Sequence, residues 1–184
     1  MKSYFFVLTL VLIFSVQNAQ ATTVRLFSLY RTNYYPEKTM VYDLEYDAAD
    51  CRITDRQPIS VYFVSTNSGT RLDGFSAQNR DYFNAREMTS PTAQALNFTF
   101  KAVNELEANL GSDLKFSISL VKNKSSCAVQ TNFLKAGKVA VQGLRKINVN
   151  FNLKNILGLG EQPSSINWLK LIGQSSKCLV GSCS

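Results

Sequence analysis

The stretch Lys146-Ile-Asn-Val-Asn-Phe-Asn-Leu-Lys154 decides the fold class of this chain. Apolar and polar side chains alternate in it, the apolar ones being Ile147, Val149, Phe151 and Leu153 and the polar ones Asn148, Asn150, Asn152 and Lys154. A period of two places the apolar side chains on one face of a β-strand and the polar ones on the other. The stretch therefore predicts a strand of an antiparallel sheet that is wetted on one face.

The same alternation recurs along most of the chain. Seven further segments share it: Val24–Thr32, Thr39–Asp47, Pro58–Thr66, Leu96–Lys101, Leu114–Leu120, Cys127–Phe133 and Lys138–Val141. These segments are near neighbours in the sequence and lack helical crossovers between them. We therefore expect a mainly β protein, an antiparallel β-sandwich or β-barrel of about eight strands.

Two segments depart from the alternation and predict one or two short helices. Ser76–Met88 is polar and has Ser76 as a candidate cap. Ser164–Ile172 has serines at its start, apolar side chains at Ile166, Leu169 and Ile172, and a glycine after it. That pattern is typical of a capped helix with a glycine stop. No repeat or linker separates a second domain, so a single domain is expected.

The first 21 residues have the layout of a secretory signal peptide. Lys2 provides a basic start, Phe5–Val16 is apolar, and Ala19-Gln-Ala21 is a small-residue cleavage site. The apolar run is shorter than the roughly 20 residues of a spanning helix. We expect cleavage after Ala21, export to the periplasm or the extracellular space, and a single β-rich domain over 22–184 with a C-terminal helix and a Cys-bearing tail.

The composition excludes several function classes. The chain has a formal net charge of +7, and its basic residues are scattered, which favours solubility over nucleic-acid binding. It contains no His, which excludes Ser-His and Cys-His catalysis and His-bearing metal sites. We therefore predict no catalytic residue, no metal and no cofactor.

Four cysteines in an exported chain predict two disulfides. Cys178 and Cys183 bracket a short loop that could close on itself, which leaves Cys51 to pair with Cys127. This pairing is preferred among the three that four cysteines allow. The absence of His and of a Cys-x-x-Cys pair argues against a zinc site.

A cluster of carboxylates supports three hypotheses. Its members are Asp43, Glu45, Asp47, Asp50 and Asp55. The favoured one is the solvated face of a strand and its turn. The second is a pair of catalytic carboxylates in a hydrolase that acts on an envelope polymer. The third is a calcium site at Asp47, Asp50 and Asp55, although their spacing does not match an EF-hand loop.

Four segments together resemble a bacterial family, the domain of unknown function numbered 4833. They are Arg25-Leu-Phe-Ser-Leu-Tyr-Arg-Thr-Asn33, Val41-Tyr-Asp43 with the turn Asp47–Asp50, Gln57-Pro-Ile-Ser-Val-Tyr62, and Gln78-Asn-Arg-Asp-Tyr82. The chain departs from the family pattern at Asp50, Phe63 and Phe83, where Gly, Trp and Gly are usual. The resemblance implies an exported β-rich domain and no known activity.

The positions shared with that family are candidates for a ligand-binding surface. They are Arg31, Asn33, Arg80 and Tyr82, with Gln78 beside them. In this hypothesis the two arginines donate to an anion. In the alternative, these residues brace a helix against the first strand, for example through Arg80 and Asp43.

The row of Asn148, Asn150 and Asn152 between Lys146 and Lys154 is a further candidate, for sugar binding, unless it is an ordinary solvated sheet face. We predict a non-enzymatic binding or interaction module of the cell envelope or secreted fraction. Its expected ligand is anionic, glycan or lipid-like. The hydrolase is the alternative.

Overall fold

The structure, a computed structural model, describes residues 21–53, 58–72, 98–109 and 113–183. Within these ranges the chain is mainly β, with eleven strands and no helix. The strands are β1 (Ala21–Arg31), β2 (Lys38–Asp47), β3 (Ile59–Ser65), β4 (Phe98–Ala102), β5 (Glu105–Asn109), β6 (Leu114–Asn123), β7 (Ser126–Lys135), β8 (Lys138–Gln142), β9 (Lys146–Ile156), β10 (Gly160–Ile172) and β11 (Ser176–Val180).

The strands form two sheets. Sheet A has the order β11-β10-β9-β1-β2-β3, and sheet B has the order β4-β5-β6-β7-β8. All neighbours are antiparallel except β1 and β9, which run parallel from Ser28 to Arg31. The expectation of wholly antiparallel sheets is wrong at this pair. A parallel pair needs a long connection, and here the chain builds all of sheet B before it returns to β1.

One hydrophobic core lies between the two sheets. Phe27 of β1 stacks on Tyr42 of β2, with ring centroids 4.6 Å apart, and on Phe116 of β6 at 5.2 Å. Phe116 in turn meets Phe133 of β7 edge to face at 4.9 Å. Offset and edge-to-face pairs of this kind stabilise a core beyond the area that they bury. The alternating apolar side chains of the sequence thus meet across the gap between the sheets.

The helix predicted at Ser164–Ile172 is wrong, because this segment belongs to β10. β10 pairs with β9 and contains two bulges, between Pro163 and Ser165 and between Ile166 and Trp168. A bulge adds one residue to a strand and shifts its alternation. The extra residue leaves Ile166 and Leu169 three positions apart in β10. Their partners in β9, Phe151 and Val149, are two positions apart and are both buried. β5 and β11 were not expected, and Ser76–Met88 lies outside the described residues.

The two predicted disulfides, Cys51–Cys127 and Cys178–Cys183, are confirmed. The first joins the turn after β2 to β7 and so ties sheet A to sheet B. Two disulfides fit an oxidising compartment. Within the described ranges, no helix has the length and apolar character needed to cross a membrane.

Candidate functional site

Three carboxylates of the acidic cluster, Asp43, Asp47 and Asp50, are held separately by structural partners, and Glu45 is exposed. The Tyr62 hydroxyl donates to Asp43 Oδ2 at 2.5 Å, and Arg25 Nε lies 3.4 Å from Asp43 Oδ1. Arg25 Nη2 donates to the same hydroxyl at 3.0 Å. Burial lowers the pKa of Arg25, but the hydrogen bond to Tyr62 and the charge of Asp43 outweigh it, so that the pKa is raised. Asp43 is thereby fixed on the face formed by β1, β2 and β3.

Asp47 stabilises the turn that follows β2. It is 3% exposed, and its Oδ1 accepts the backbone N–H groups of Ala49 and Asp50 at 2.9 and 3.2 Å. Asp50 pairs with Arg52 at 3.3 Å, and Asp55 lies outside the described residues. The described part of the chain holds no group of three His, Cys, Asp or Glu side chains suited to a metal ion.

Arg31 and Asn33 of the predicted surface both hold the end of β1 in place. Arg31 is 7% exposed, and its guanidinium carbon lies 5.6, 5.7 and 5.3 Å from the ring centroids of Tyr34, Tyr35 and Phe63. The Asn33 amide donates to the Phe151 carbonyl at 2.8 Å and accepts from the Phe151 N–H at 3.0 Å, which continues the pairing of β1 with β9. Arg80 and Tyr82 lie outside the described residues.

The asparagine row of β9 is extended by β10 into a larger polar surface. Residues in register across antiparallel strands lie on the same face of a sheet. Lys170, Trp168 and Ser165 are thus beside Asn148, Asn150 and Asn152 respectively. We call this surface the amide face and define it as Lys146, Asn148, Asn150, Asn152, Lys154, Ser165, Asn167, Trp168 and Lys170.

A chain of hydrogen bonds orders the middle of the amide face. Asn167 Nδ2 donates to Asn150 Oδ1 at 2.9 Å, and Asn150 Nδ2 donates to the Thr32 hydroxyl of the loop after β1 at 2.9 Å. Asn152 Nδ2 donates to the Ser165 hydroxyl at 2.9 Å. The amide groups therefore have fixed orientations, so that the remaining donors and acceptors are presented to solvent in a set geometry.

The amide face is positively charged and carries an unsatisfied acceptor. Its charged members are the three lysines, and the one carboxylate of β9 and β10, Glu161, is in register with Asn155 on the other face. No described residue hydrogen-bonds to the buried Oδ1 of Asn148. A buried acceptor without a partner costs about 1–3 kcal/mol. Because this oxygen is closed to solvent, a ligand would contact the exposed groups of the face instead. From Lys146 to Lys154 the face is about 26 Å long at roughly 3.3 Å per residue.

A cleft lies beside the Cys51–Cys127 disulfide. It has a volume of about 510 Å³ and is lined by Asp50, Cys51, Arg52, Val103, Asn104, Leu120 and Lys122. Its polar side chains are engaged with neighbouring backbone: Lys122 Nζ donates to the Ala49 carbonyl at 3.1 Å, and Asn104 Nδ2 donates to the Leu120 carbonyl at 3.1 Å. These contacts tie the turn after β2 to sheet B and leave few groups aimed at a ligand.

Comparisons with known proteins give no indication of function, so the function is inferred from the geometry alone. No family model, characterised protein or solved structure matches this chain. The alternation of β9 is enough to find its asparagine row in the sequence. The contribution of β10 was missed, because the bulge between Ile166 and Trp168 gives Ile166 and Leu169 a helical spacing.

Proposed function

We propose that this protein is an exported, non-enzymatic binding module of the cell envelope or secreted fraction, and that its amide face binds an anionic glycan. The observation that carries the proposal is the register of β9 with β10, which sets amide side chains between three lysines without a carboxylate. An amide both donates and accepts hydrogen bonds, as sugar hydroxyls do. The lysines supply positive charge for carboxylate or phosphate groups along the ligand.

The two disulfides and the signal-peptide layout of Met1–Ala21 support export, with cleavage after Ala21. For the fold we propose a β-sandwich related to the family numbered 4833. The shared core of sheets A and B supports the sandwich, and the segments Arg25–Asn33 and Gln57–Tyr62 support the relationship.

The hydrolase hypothesis is supported less well by the described carboxylates. Paired catalytic carboxylates must face one another across a substrate, at about 5–10 Å. Asp43 is bonded to Tyr62 and Arg25, Asp47 to the backbone of its own turn, and Asp50 to Arg52. These contacts favour structural roles, so we do not propose glycan turnover.

Titration with a polyuronate oligosaccharide tests the proposal. The variant Lys146→Gln/Lys170→Gln is expected to bind at least about tenfold more weakly, because hydrogen bonds to charged groups are worth about 1.5–3 kcal/mol each.

The matched control is Lys135→Gln/Lys138→Gln, which removes the same charge from sheet B, where these two residues are exposed and in register. It is expected to bind as the wild type does. Equal weakening by the two lysine pairs would show that the oligosaccharide responds to net charge alone and would overturn the amide face as the site. Equal binding of neutral dextran and of polyuronate would overturn the anionic ligand.

A further inference from the structure

The β9–β10 hairpin ends in an apolar tip, Ile156-Leu-Gly-Leu-Gly160. The Leu159 N–H donates to the Ile156 carbonyl at 2.9 Å and closes a four-residue turn, in which Gly158 has a positive φ of 80°. Leu157 is fully exposed, Leu159 is 63% exposed and Ile156 is 42% exposed. A single exposed leucine is ordinary on a protein surface, but adjacent ones on a projecting turn indicate a contact surface.

The position of this tip is fixed by its base. The Tyr34 hydroxyl donates to Gln162 Oε1 at 3.2 Å, and Gln162 Nε2 donates to the Leu159 carbonyl at 2.8 Å. Ser164 Oγ donates to the Asn152 carbonyl at 2.8 Å. The apolar side chains are therefore presented on a braced hairpin.

A basic and aromatic layer lies directly behind the tip. Lys154 is in register with Gln162, the partner of Tyr34, and is two residues before Ile156, or about 7 Å along the strand. Tyr35 is 50% exposed and packs edge to face on Tyr34 with ring centroids 4.6 Å apart. The Tyr34 hydroxyl and Lys154 are therefore at about the same level behind the tip, and the Tyr34 ring extends from there toward Phe151.

Positive charge predominates in this layer. Arg31 and Lys38 lie 5.7 and 5.6 Å from the centroid of the Tyr35 ring, and Lys154 adds a third cation. The carboxylates of the same segments are Glu37 and Glu161. The three cations outnumber the two carboxylates by one, and Arg31 is only 7% exposed, so that a small positive excess favours an anionic surface over a cationic one.

The apolar tip and the basic and aromatic layer behind it are in the same order as the hydrocarbon and the headgroups on one side of a lipid bilayer. The headgroups form a layer of about 5–7 Å on each side of the bilayer. The hydrocarbon core beneath them accepts leucine side chains. Tyrosines are enriched at the headgroup level, and lysine side chains extend toward it with their charged ends. A groove in a protein partner would require an apolar tip but not this ordered aromatic and basic layer behind it.

We propose that the Ile156–Gly160 tip inserts into the surface of an anionic lipid bilayer, with Lys154, Tyr34 and Tyr35 at the headgroup level. This docking site shares Lys154 with the amide face but does not depend on glycan binding there. The tip supplies apolar burial, and the layer behind it supplies charge attraction and interfacial anchoring.

Co-sedimentation of the purified protein with vesicles tests the proposal. We expect binding to vesicles of phosphatidylcholine and phosphatidylglycerol in equal amounts, and weaker binding to phosphatidylcholine alone. Leu157→Ser/Leu159→Ser is expected to bind the mixed vesicles at least about tenfold more weakly, since burial of one leucine is worth roughly a factor of ten or more. Glu161→Gln is expected to bind more tightly, because it removes a negative charge next to the headgroups.

The matched control is Val139→Ser, which removes an exposed apolar side chain from β8 of sheet B. It should bind vesicles as the wild type does, and the leucine variant should keep its affinity for polyuronate. A Leu157→Trp variant reads out depth, and its fluorescence should be quenched by lipids brominated on the acyl chain. Undiminished vesicle binding by the leucine variant, or no quenching of Trp at 157, would overturn insertion of the tip.

Discussion

Removal of the Cys51–Cys127 disulfide is expected to cost about twice the stability that removal of Cys178–Cys183 costs. A disulfide restricts the unfolded chain more strongly when it closes a longer loop. The sequence separations are 76 and 5 residues. The loop-entropy relation then gives losses of about 4.5 and about 2 kcal/mol at 25 °C. Cys51 is also buried in the core, so that its replacement by Ala adds a small packing loss to the larger value.

Urea unfolding of two double variants measures the difference. Cys51→Ala/Cys127→Ala should lower the free energy of unfolding by about 4–5 kcal/mol and the melting temperature by about 9–18 °C, with a larger m-value because the unfolded chain is freer to expand. Cys178→Ala/Cys183→Ala should show about half of that loss. Equal losses, or a larger loss for the short loop, would refute the role of loop length and of the link between the sheets.

Three further perturbations follow from the packing and the charges. Phe116→Ala should lower the free energy of unfolding by about 3–5 kcal/mol in urea, because it removes a fully buried ring from the contact between the sheets, and no loss would contradict the shared core. Asn33→Ala should cost about 1–3 kcal/mol in the same assay and expose the Phe151 amide to hydrogen exchange, whereas unchanged protection would contradict its bridging role. A hydrogen bond from Lys115 holds the pKa of Glu107 below its ordinary value near 4.5; burial opposes this effect and the charge of Lys101 adds to it. The ion pair therefore contributes to stability above pH 4.5, and this contribution is lost as the pH falls through the lowered pKa. Lys115→Met should therefore flatten the acid limb of the stability profile, and an unchanged limb would contradict this pairing.

Most of the strands could be predicted from the sequence because one face of each is buried. In β2 the alternating side chains Met40, Tyr42, Leu44 and Tyr46 are all in the core. The prediction failed where alternation is locally interrupted. In β10 the bulge between Ile166 and Trp168 puts Leu169 back in register with the buried Val149, and the extra residue produces a helix-like spacing of Ile166 and Leu169 in the sequence. β5 is short and places charged residues on either side of Leu106, so its pattern is too brief to distinguish from a turn.

The candidate site was less predictable because it depends on pairing between strands. The asparagines of β9 stand out in the sequence, but Asn167 and Lys170 join them only through the register with β10. Arg31 illustrates the opposite case. A basic residue at the end of a strand suggests an anion donor, yet here it is surrounded by the rings of Tyr34, Tyr35 and Phe63. Nothing in the local sequence separates these two environments.

The parallel pairing of β1 with β9 sets the order in which the protein can fold. Arg31 and Lys146 are 115 positions apart, by subtraction of their numbers, so β1 keeps an open edge until the last quarter of the chain is present. Contacts between such distant segments slow folding, and an open edge is a template for wrong pairing. A chain that emerges from its N-terminus can therefore form the β1–β2–β3 meander early, but it completes sheet A only near the end. β9 is therefore the strand whose arrival closes the open edge of β1 and allows β10 and β11 to join sheet A.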